Sequence, residues 1–249
     1  MLSAVVITSN SRNTIGECID ALKQVCSDII IVDSGSDDGT REICISKNIR
    51  YYVKSWEGYS VNKNFGNELA LNDYILSIDS DEILSEDLIT NINKVFESKD
   101  LVDGYILNLI TNYAGNWIRY GGWNPDWHIR IFNRKLIKWE IQDVHEILSV
   151  TSKHKIKKLK GKILHYSYPT VQDHINKIDK YTDLFAERAF KAGKSAGKQR
   201  KYLSAAFTFV SNYIIKFGFL DGYYGFIVAK NNALYSYLKY KKLSEKHKH

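Results

Sequence analysis

The feature that most limits the fold is an alternation in the first hundred residues. Short β-branched runs at 4–8, 29–32, 51–53 and 74–78 are interleaved with helix-periodic stretches at 15–25, 40–47, 62–71 and 85–96. Strand–helix alternation predicts a parallel sheet with helices on both faces. The stretch at 85–96 shows the pattern in detail. Leu88, Ile89, Ile92, Val95 and Phe96 form one stripe, Ser85 stands at the N-cap position, and Glu86 and Asp87 suit the positive helix end. From 104 to 168 the pattern turns to strands, expected at 105–110, 128–132, 146–150 and 163–167, so the sheet continues in mixed form. After Pro169 a helical spacing returns with Val171, Ile175, Ile178, Phe185 and Ala189. The reading is therefore an α/β domain over 1–169 and a basic, aromatic-rich helical extension over 170–249.

Composition narrows the function classes. With 249 residues, 44% of them apolar and only 2 Pro, the chain is neither a disulfide-stapled miniprotein nor a disordered or fibrous one. Cys18, Cys26 and Cys44 are odd in number and lack a CxxC pairing, so reduced thiols in a cytosolic setting are expected. The N-terminus has no basic region before its apolar run, and the uncharged stretch 202–215 is 14 residues long, short of the ~20 that span a bilayer. Neither a signal peptide nor a transmembrane helix is expected. Charge is divided unevenly: residues 1–150 hold 14 Lys+Arg against 22 Asp+Glu, and the remainder 21 against 6. The basic part suits nucleic acid, an anionic membrane or an anionic substrate, and charge alone does not choose among them.

In open α/β sheets ligands bind beyond the carboxyl ends of strands, and two acidic clusters fall there. One is Asp33-Ser34-Gly35-Ser36-Asp37-Asp38-Gly39-Thr40. Its carboxylates and backbone N–H groups suit a nucleoside or phosphate, although Asp, Ser and Gly also make ordinary turns. The other, Asp79-Ser80-Asp81-Glu82, sets three carboxylates in four positions after an apolar strand. Such repulsion calls for a cation, and hard oxygen donors suit Mg²⁺ or Mn²⁺ bridging to substrate phosphates; a solvated acidic loop is the plain alternative.

VVIT-S-N at the start, D-S-G-S-x-D-G-T after the second strand and S-I-D-S-D-E after the fourth together resemble the family 2 glycosyltransferases of GT-A fold. Residues 123–132, Val144-His145-Glu146, His165-Tyr166-Ser167-Tyr168 and Lys177-x-Asp179-x-Tyr181 resemble the lipopolysaccharide-core branch that adds glucose to heptose. The resemblance implies a metal-dependent, inverting transfer of a hexose from a UDP-sugar to a lipid-linked saccharide. It implies that Asp33 contacts uracil or ribose, that Asp79 and Asp81 form the DxD pair with Asp81 the more direct metal ligand, and that Lys63 lies near the nucleotide. Lys63 reads equally as an exposed cation on an amphipathic helix.

Inverting transfer needs one carboxylate to take the acceptor hydroxyl's proton. Asp126 is the candidate, between Trp123 and Trp127 as a sugar platform and shortly before Arg130, with Asp143 and Glu146 as rivals. Many family members carry an adjacent Glu-Asp pair here, where this chain has Pro125-Asp126. His145 leans towards a functional role and His165 towards a structural one; Trp117, Trp123 and Trp127 suit stacking or simple packing. In the extension, aromatics interleaved with Lys198, Arg200, Lys201, Lys216 and Lys230 suit an anionic membrane surface, or else a helical hairpin with solvated lysines. The expected setting is the inner face of the cytoplasmic membrane, with no nucleic-acid partner. A nucleotidyltransferase would normally carry a Gly-rich basic loop near the first strand, and an RNA-binding module would lack the acidic strand ends.

Overall fold

The computed structural model describes residues 1–140, 147–195, 197 and 199–247. It divides into two compact units, Met1–Leu109 with Asp126–His165, and Ile110–Pro125 with Tyr166–His249. In chain order the elements are β1 (Leu2–Thr8), α1 (Ile15–Leu22), β2 (Asp28–Asp33), α2 (Thr40–Ser46), β3 (Arg50–Val53), α3 (Tyr59–Leu69), β4 (Tyr74–Asp79), β5 (Glu82–Leu84) and α4 (Glu86–Ser98). They continue as β6 (Gly104–Tyr113), β7 (Asn116–Ile118), β8 (Asp126–Asn133), β9 (Trp139–Glu140), β10 (Ile147–Leu148), β11 (Ile156–Tyr168), α5 (Val171–Lys191), α6 (Arg200–Val210) and α7 (Gly222–Lys246).

In the first unit the strands pair in the order β3-β2-β1-β4-β8-β6-β11-β5. β1 to β4 are parallel, and β8 enters antiparallel to β4 and β6. Every residue of β1 and β2 is buried, as expected of central strands covered on both faces. Alternation along the strands divides the core. Ala4, Val6, Ile31, Leu76 and Ile78 meet α1 and α4 through Ile15, Ile19, Leu22, Leu88 and Ile92. Val5, Ile7, Ile30, Val32 and Ile75 turn the other way, towards Phe65 and Leu69 of α3 and towards Phe132 and Trp139. Gly66 sets the depth of α3, since a Cβ there would run into the Val5 side chain and press on Val32. Ser85 caps α4 as expected, its hydroxyl accepting from the Leu88 N–H at 3.3 Å.

The structure departs from the sequence reading at five strands. β8 begins at Asp126 rather than at 128, which makes Asp126 a strand residue. β11 runs from Ile156, not from 163, because Lys157, Lys158 and Lys160 face outward while Leu159 and Ile163 are buried. β5 and β7 carry no signal at three residues each. Of the strand expected at 146–150, Ile147–Leu148 forms β10, Ser149 and Val150 lie beyond it, and 146 lies outside the described residues.

The second unit takes in, besides residues 166–249, the end of β6 and its antiparallel partner β7. A capping box starts α5: Thr170 accepts from the Asp173 N–H, and the Asp173 carboxylate accepts from the Thr170 N–H. α7 packs along α5 and α6. Lys242 of α7 pairs with Asp179 at 2.6 Å and Asp183 at 2.9 Å. Between α6 and α7 lie a π-helical turn (Ser211–Ile215) and a 3₁₀ turn (Gly218–Asp221). The Asp221 carboxylate accepts the N–H groups of Arg119 and Tyr120.

Candidate active site

Register places the two acidic clusters at one end of the first unit's sheet. Thr8 of β1 pairs with Asp33 of β2, and Ile7 of β1 with Asp79 of β4. The acidic ends therefore flank β1, two strand spacings or roughly 10 Å apart. β8 starts at the same end, because it runs antiparallel to β4. Asp126 thus shares that end of the sheet with Asp79.

Asp33 is turned into its own loop. It is 1% exposed and accepts from the N–H groups of Gly35 and Ser36, the Ser36 hydroxyl and the Tyr51 hydroxyl at 2.6 Å. A carboxylate with four donors in place organises the turn that would lie against a nucleoside. The loop is tied further by Asn10, whose N–H donates to Ser36 and whose side-chain oxygen accepts from the Asp37 N–H. Asp38 accepts the Arg12 N–H.

The second cluster separates into three distinct carboxylates. Asp79 stands 3.2 Å from the Lys63 ammonium and 3.9 Å from the Arg130 guanidinium. Burial alone would raise its pKa, yet these two cations hold it below the usual carboxylate range. Lys63 is 1% exposed, reached by the close approach of α3, and its ammonium lies 4.9 Å from the Trp139 ring centre. It is therefore not the exposed helix cation of the plain reading. Glu82 is fully buried and pairs with Arg130 at 2.5 Å, while also accepting the Asp79 N–H at 2.9 Å. Burial pushes its pKa up to about 6, helped by Asp79 and opposed by Arg130.

Asp81 is the member left at the surface. Its partner is His165 of β11, with Nε2 3.4 Å from Oδ2. Burial would lower the His165 pKa, but the hydrogen bond to Asp81 and the charges of Glu82, Asp81 and Asp79 raise it. Of the two histidines weighed from sequence, His165 stands at the acidic strand end; His145, with Asp143 and Glu146, lies outside the described residues. The signal for His165 was its place on a strand pairing with Glu82, a register that no local motif reveals.

Among the described residues no three His, Cys, Asp or Glu side chains gather as a complete metal site. Asp79 is neutralised by protein cations, which leaves Asp81 and His165 as donors on this chain. A Mg²⁺ or Mn²⁺ ion held by one or two protein ligands, with substrate phosphates and water for the rest, fits such a pair.

Asp126 is about half exposed, its Oδ1 2.7 Å from His128 Nε2, and its N–H donates to Asn108. His128 went unnoticed in the sequence, although a D-x-H spacing in a strand puts both side chains on one face. The expected tryptophan platform is not drawn from one unit. Trp127 lies under the Lys158 ammonium at 4.5 Å in the first unit, and Trp123 stacks on Tyr168 at 5.4 Å in the second. Trp117 meets Tyr166. Cys18, Cys26 and Cys44 are buried free thiols.

The glycosyl transferase family 2 profile matches residues 3–160. The chain belongs to that family. Its mixed sheet with helices on both faces and a C-terminal helical part is the GT-A arrangement expected of a family 2 glycosyltransferase. An uncharacterized glycosyltransferase of Rickettsia typhi is 28% identical over 98% of this chain and 87% of its own length. The lipopolysaccharide core biosynthesis glycosyltransferase LpsC of Rhizobium meliloti is 27% identical over 99% and 93%. Among solved structures, S. aureus TarS superposes with a TM-score of 0.47 at 13% identity, covering 99% of this chain and 91% of that one.

Proposed function

We propose that this glycosyltransferase is an inverting enzyme that moves a hexose, glucose in the first instance, from a UDP-sugar to a lipid-linked saccharide of the lipopolysaccharide-core type. The observation that carries the reading is the division of labour at the end of β4. Lys63 and Arg130 compensate Asp79 and Glu82, while Asp81 and His165 form a partly exposed pair. In this reading Asp33 and its loop lie against the nucleoside, and Asp81 with His165 would hold Mg²⁺ or Mn²⁺. Such an ion supplies positive charge to the leaving UDP. Asp126 takes the proton from the acceptor hydroxyl as its oxygen forms the new bond to the anomeric carbon. The bond to UDP breaks on the opposite face, and UDP leaves with the electron pair. His128 positions Asp126 through the 2.7 Å contact.

The likeness to LpsC supports the acceptor class. The second unit supports a membrane setting. No single described helix is long and apolar enough to cross a bilayer, but Phe207 is 70% and Tyr223 69% exposed, with Leu203, Ile214, Ile215, Phe217 and Leu220 also at the surface. Cations at Arg200, Lys201 and Lys216 flank them. An apolar surface edged by cations suits shallow insertion at the cytoplasmic face of an anionic membrane.

Isothermal titration of UDP with and without Mn²⁺ tests the site. The expected result is tighter binding with the ion and loss of that gain in Asp81→Ala, with the thermal midpoint unchanged. Metal-independent UDP binding in both proteins would overturn the metal assignment, and absence of UDP binding the whole reading.

A further inference from the structure

The second unit holds a pocket of about 290 Å³ whose lining includes Trp123, Tyr168, His174, Lys177, Tyr181 and Asn232. None of the acidic strand-end residues belongs to this unit or lines the pocket. One lining residue, His174, belongs to a buried polar triad. His174, 5% exposed, has Nδ1 3.1 Å from the Tyr113 hydroxyl and 3.2 Å from the Asn231 amide nitrogen, and that amide also donates to the Tyr113 hydroxyl. An amide NH₂ directed at Nδ1 requires the lone pair there, which assigns the imidazole proton to Nε2. Among the described residues Nε2 meets no hydrogen-bond partner and is not sealed off, and with His174 lining the pocket it offers an N–H there. Burial, with Lys177 nearby, lowers the His174 pKa to about 4, so the ring is a neutral donor at physiological pH.

The walls complete the chemistry. Trp123 and Tyr168 present aromatic surface around the imidazole, with ring centres 5.3 and 4.7 Å from it. The Lys177 ammonium lies 4.6 Å over the Tyr168 ring, donates to the Ser167 carbonyl at 3.0 Å, and keeps further N–H groups. No carboxylate lines the pocket. Aromatic faces suit the C–H surface of a pyranose, fixed N–H donors suit its hydroxyls, and an unopposed ammonium selects a negative group. The volume is at the small end of ligand pockets, roughly 300–1,000 Å³, which admits one ring and excludes a nucleotide.

We propose that this pocket binds one anionic sugar residue, a pyranose bearing a carboxylate or a phosphate. Its role in the transfer would be to hold an anionic residue of the acceptor. The acceptor role rests on the proposed saccharide transfer; the binding chemistry does not.

Saturation-transfer difference NMR on the full chain tests it with four probes: glucuronate, glucose 6-phosphate, glucose and inorganic phosphate. Both anionic sugars should receive saturation, glucose much less, and phosphate should compete only weakly. Lys177→Met should weaken the anionic sugars about tenfold, the worth of one charge-assisted hydrogen bond. Tyr181→Ala, at a half-exposed lining position, should weaken them too. Equal response to all sugars, full displacement by phosphate, or indifference to both variants would overturn the inference. UDP titrated into the same samples separates the two readings. Sugar binding without UDP binding sinks the transferase reading and spares the pocket, and the reverse sinks the pocket alone.

Discussion

The two units treat their large apolar side chains in opposite ways. In the first, β1 and β2 are buried along their whole length and the partly exposed site carries acids and imidazoles. In the second, α6 buries none of its residues, and the turns after it expose Ile214, Ile215, Phe217 and Leu220. Inside the second unit a polar and aromatic group, Tyr113, His174, Asn231 and Trp123, sits with small apolar clusters such as Ile118 with Val228 and Ala186 with Leu243. The contrast teaches that apolar count does not locate a core. A parallel sheet must cover both faces, whereas a helical layer can leave one face for a partner, and lipid satisfies such a face without sequence-specific contacts.

The comparison would break most visibly at the first unit's buried ions. Arg130→Met leaves the fully buried Glu82 without its partner, and urea unfolding should show a loss of roughly 3–5 kcal/mol. Arg130→Met combined with Glu82→Leu should recover most of it. A loss below about 1 kcal/mol in the single variant would show that this ion pair does not hold the strand end together.

Next in size is the second unit's response to acid. His174 is neutral in the fold, with its pKa lowered to about 4, against about 6.5 in the unfolded chain. The unfolded state then binds more protons between these values. The contribution is fully present above pH ~6.5 and is lost as pH falls towards 4, by up to roughly 3 kcal/mol. Unfolding measured across that window should flatten in His174→Gln; an unchanged slope would mean that other groups carry the acid sensitivity.

Much of this contrast was legible in the sequence. Apolar runs closed by Asp33 and Asp79 announced the parallel sheet and the end that carries the site, because period and strand-end chemistry are local properties. Ser85 and the Leu88–Ile92 stripe were legible for the same reason. What escaped was set by pairing between distant segments. The Lys63–Asp79 contact depends on the close approach that Gly66 permits, His165 meets Asp81 through the β11–β5 register, and His174 finds Tyr113 and Asn231 across the sequence. The hold of Asp33 on its own turn was hidden too, because a strand-end carboxylate looks the same in sequence whatever donors it meets.

Asp126→Asn sharpens what the exposed acids of the first unit do. The amide keeps size and some hydrogen bonding but cannot accept the acceptor proton, so turnover should fall roughly 100-fold, the ordinary general-base contribution. UDP-sugar affinity should stay unchanged, as read by titration. Parallel loss of both would make Asp126 a donor-binding or folding residue. Near-normal turnover, with collapse in Asp143→Asn or Glu146→Gln, would move the base to that segment.

The smallest expected change in stability is also the cleanest contrast between the units. Phe207→Ser combined with Tyr223→Ser removes two side chains that are 70% and 69% exposed, and surface changes of this kind lie within about 0.5 kcal/mol each. A Val5→Ser change in the first unit strikes a residue with no exposure, packed between β1 and α3, and should cost about 2–4 kcal/mol through the cavity and the buried hydroxyl. Flotation with anionic vesicles should reverse the ranking. The double variant should lose retention several-fold while Val5→Ser, where it remains folded, keeps it. Retention should also persist in part at high salt, since an inserted apolar surface is not screened as the flanking lysines are. Complete release of the parent protein by salt, with the double variant indistinguishable from it, would mean that charge alone docks the second unit and that its exposed aromatics serve another partner.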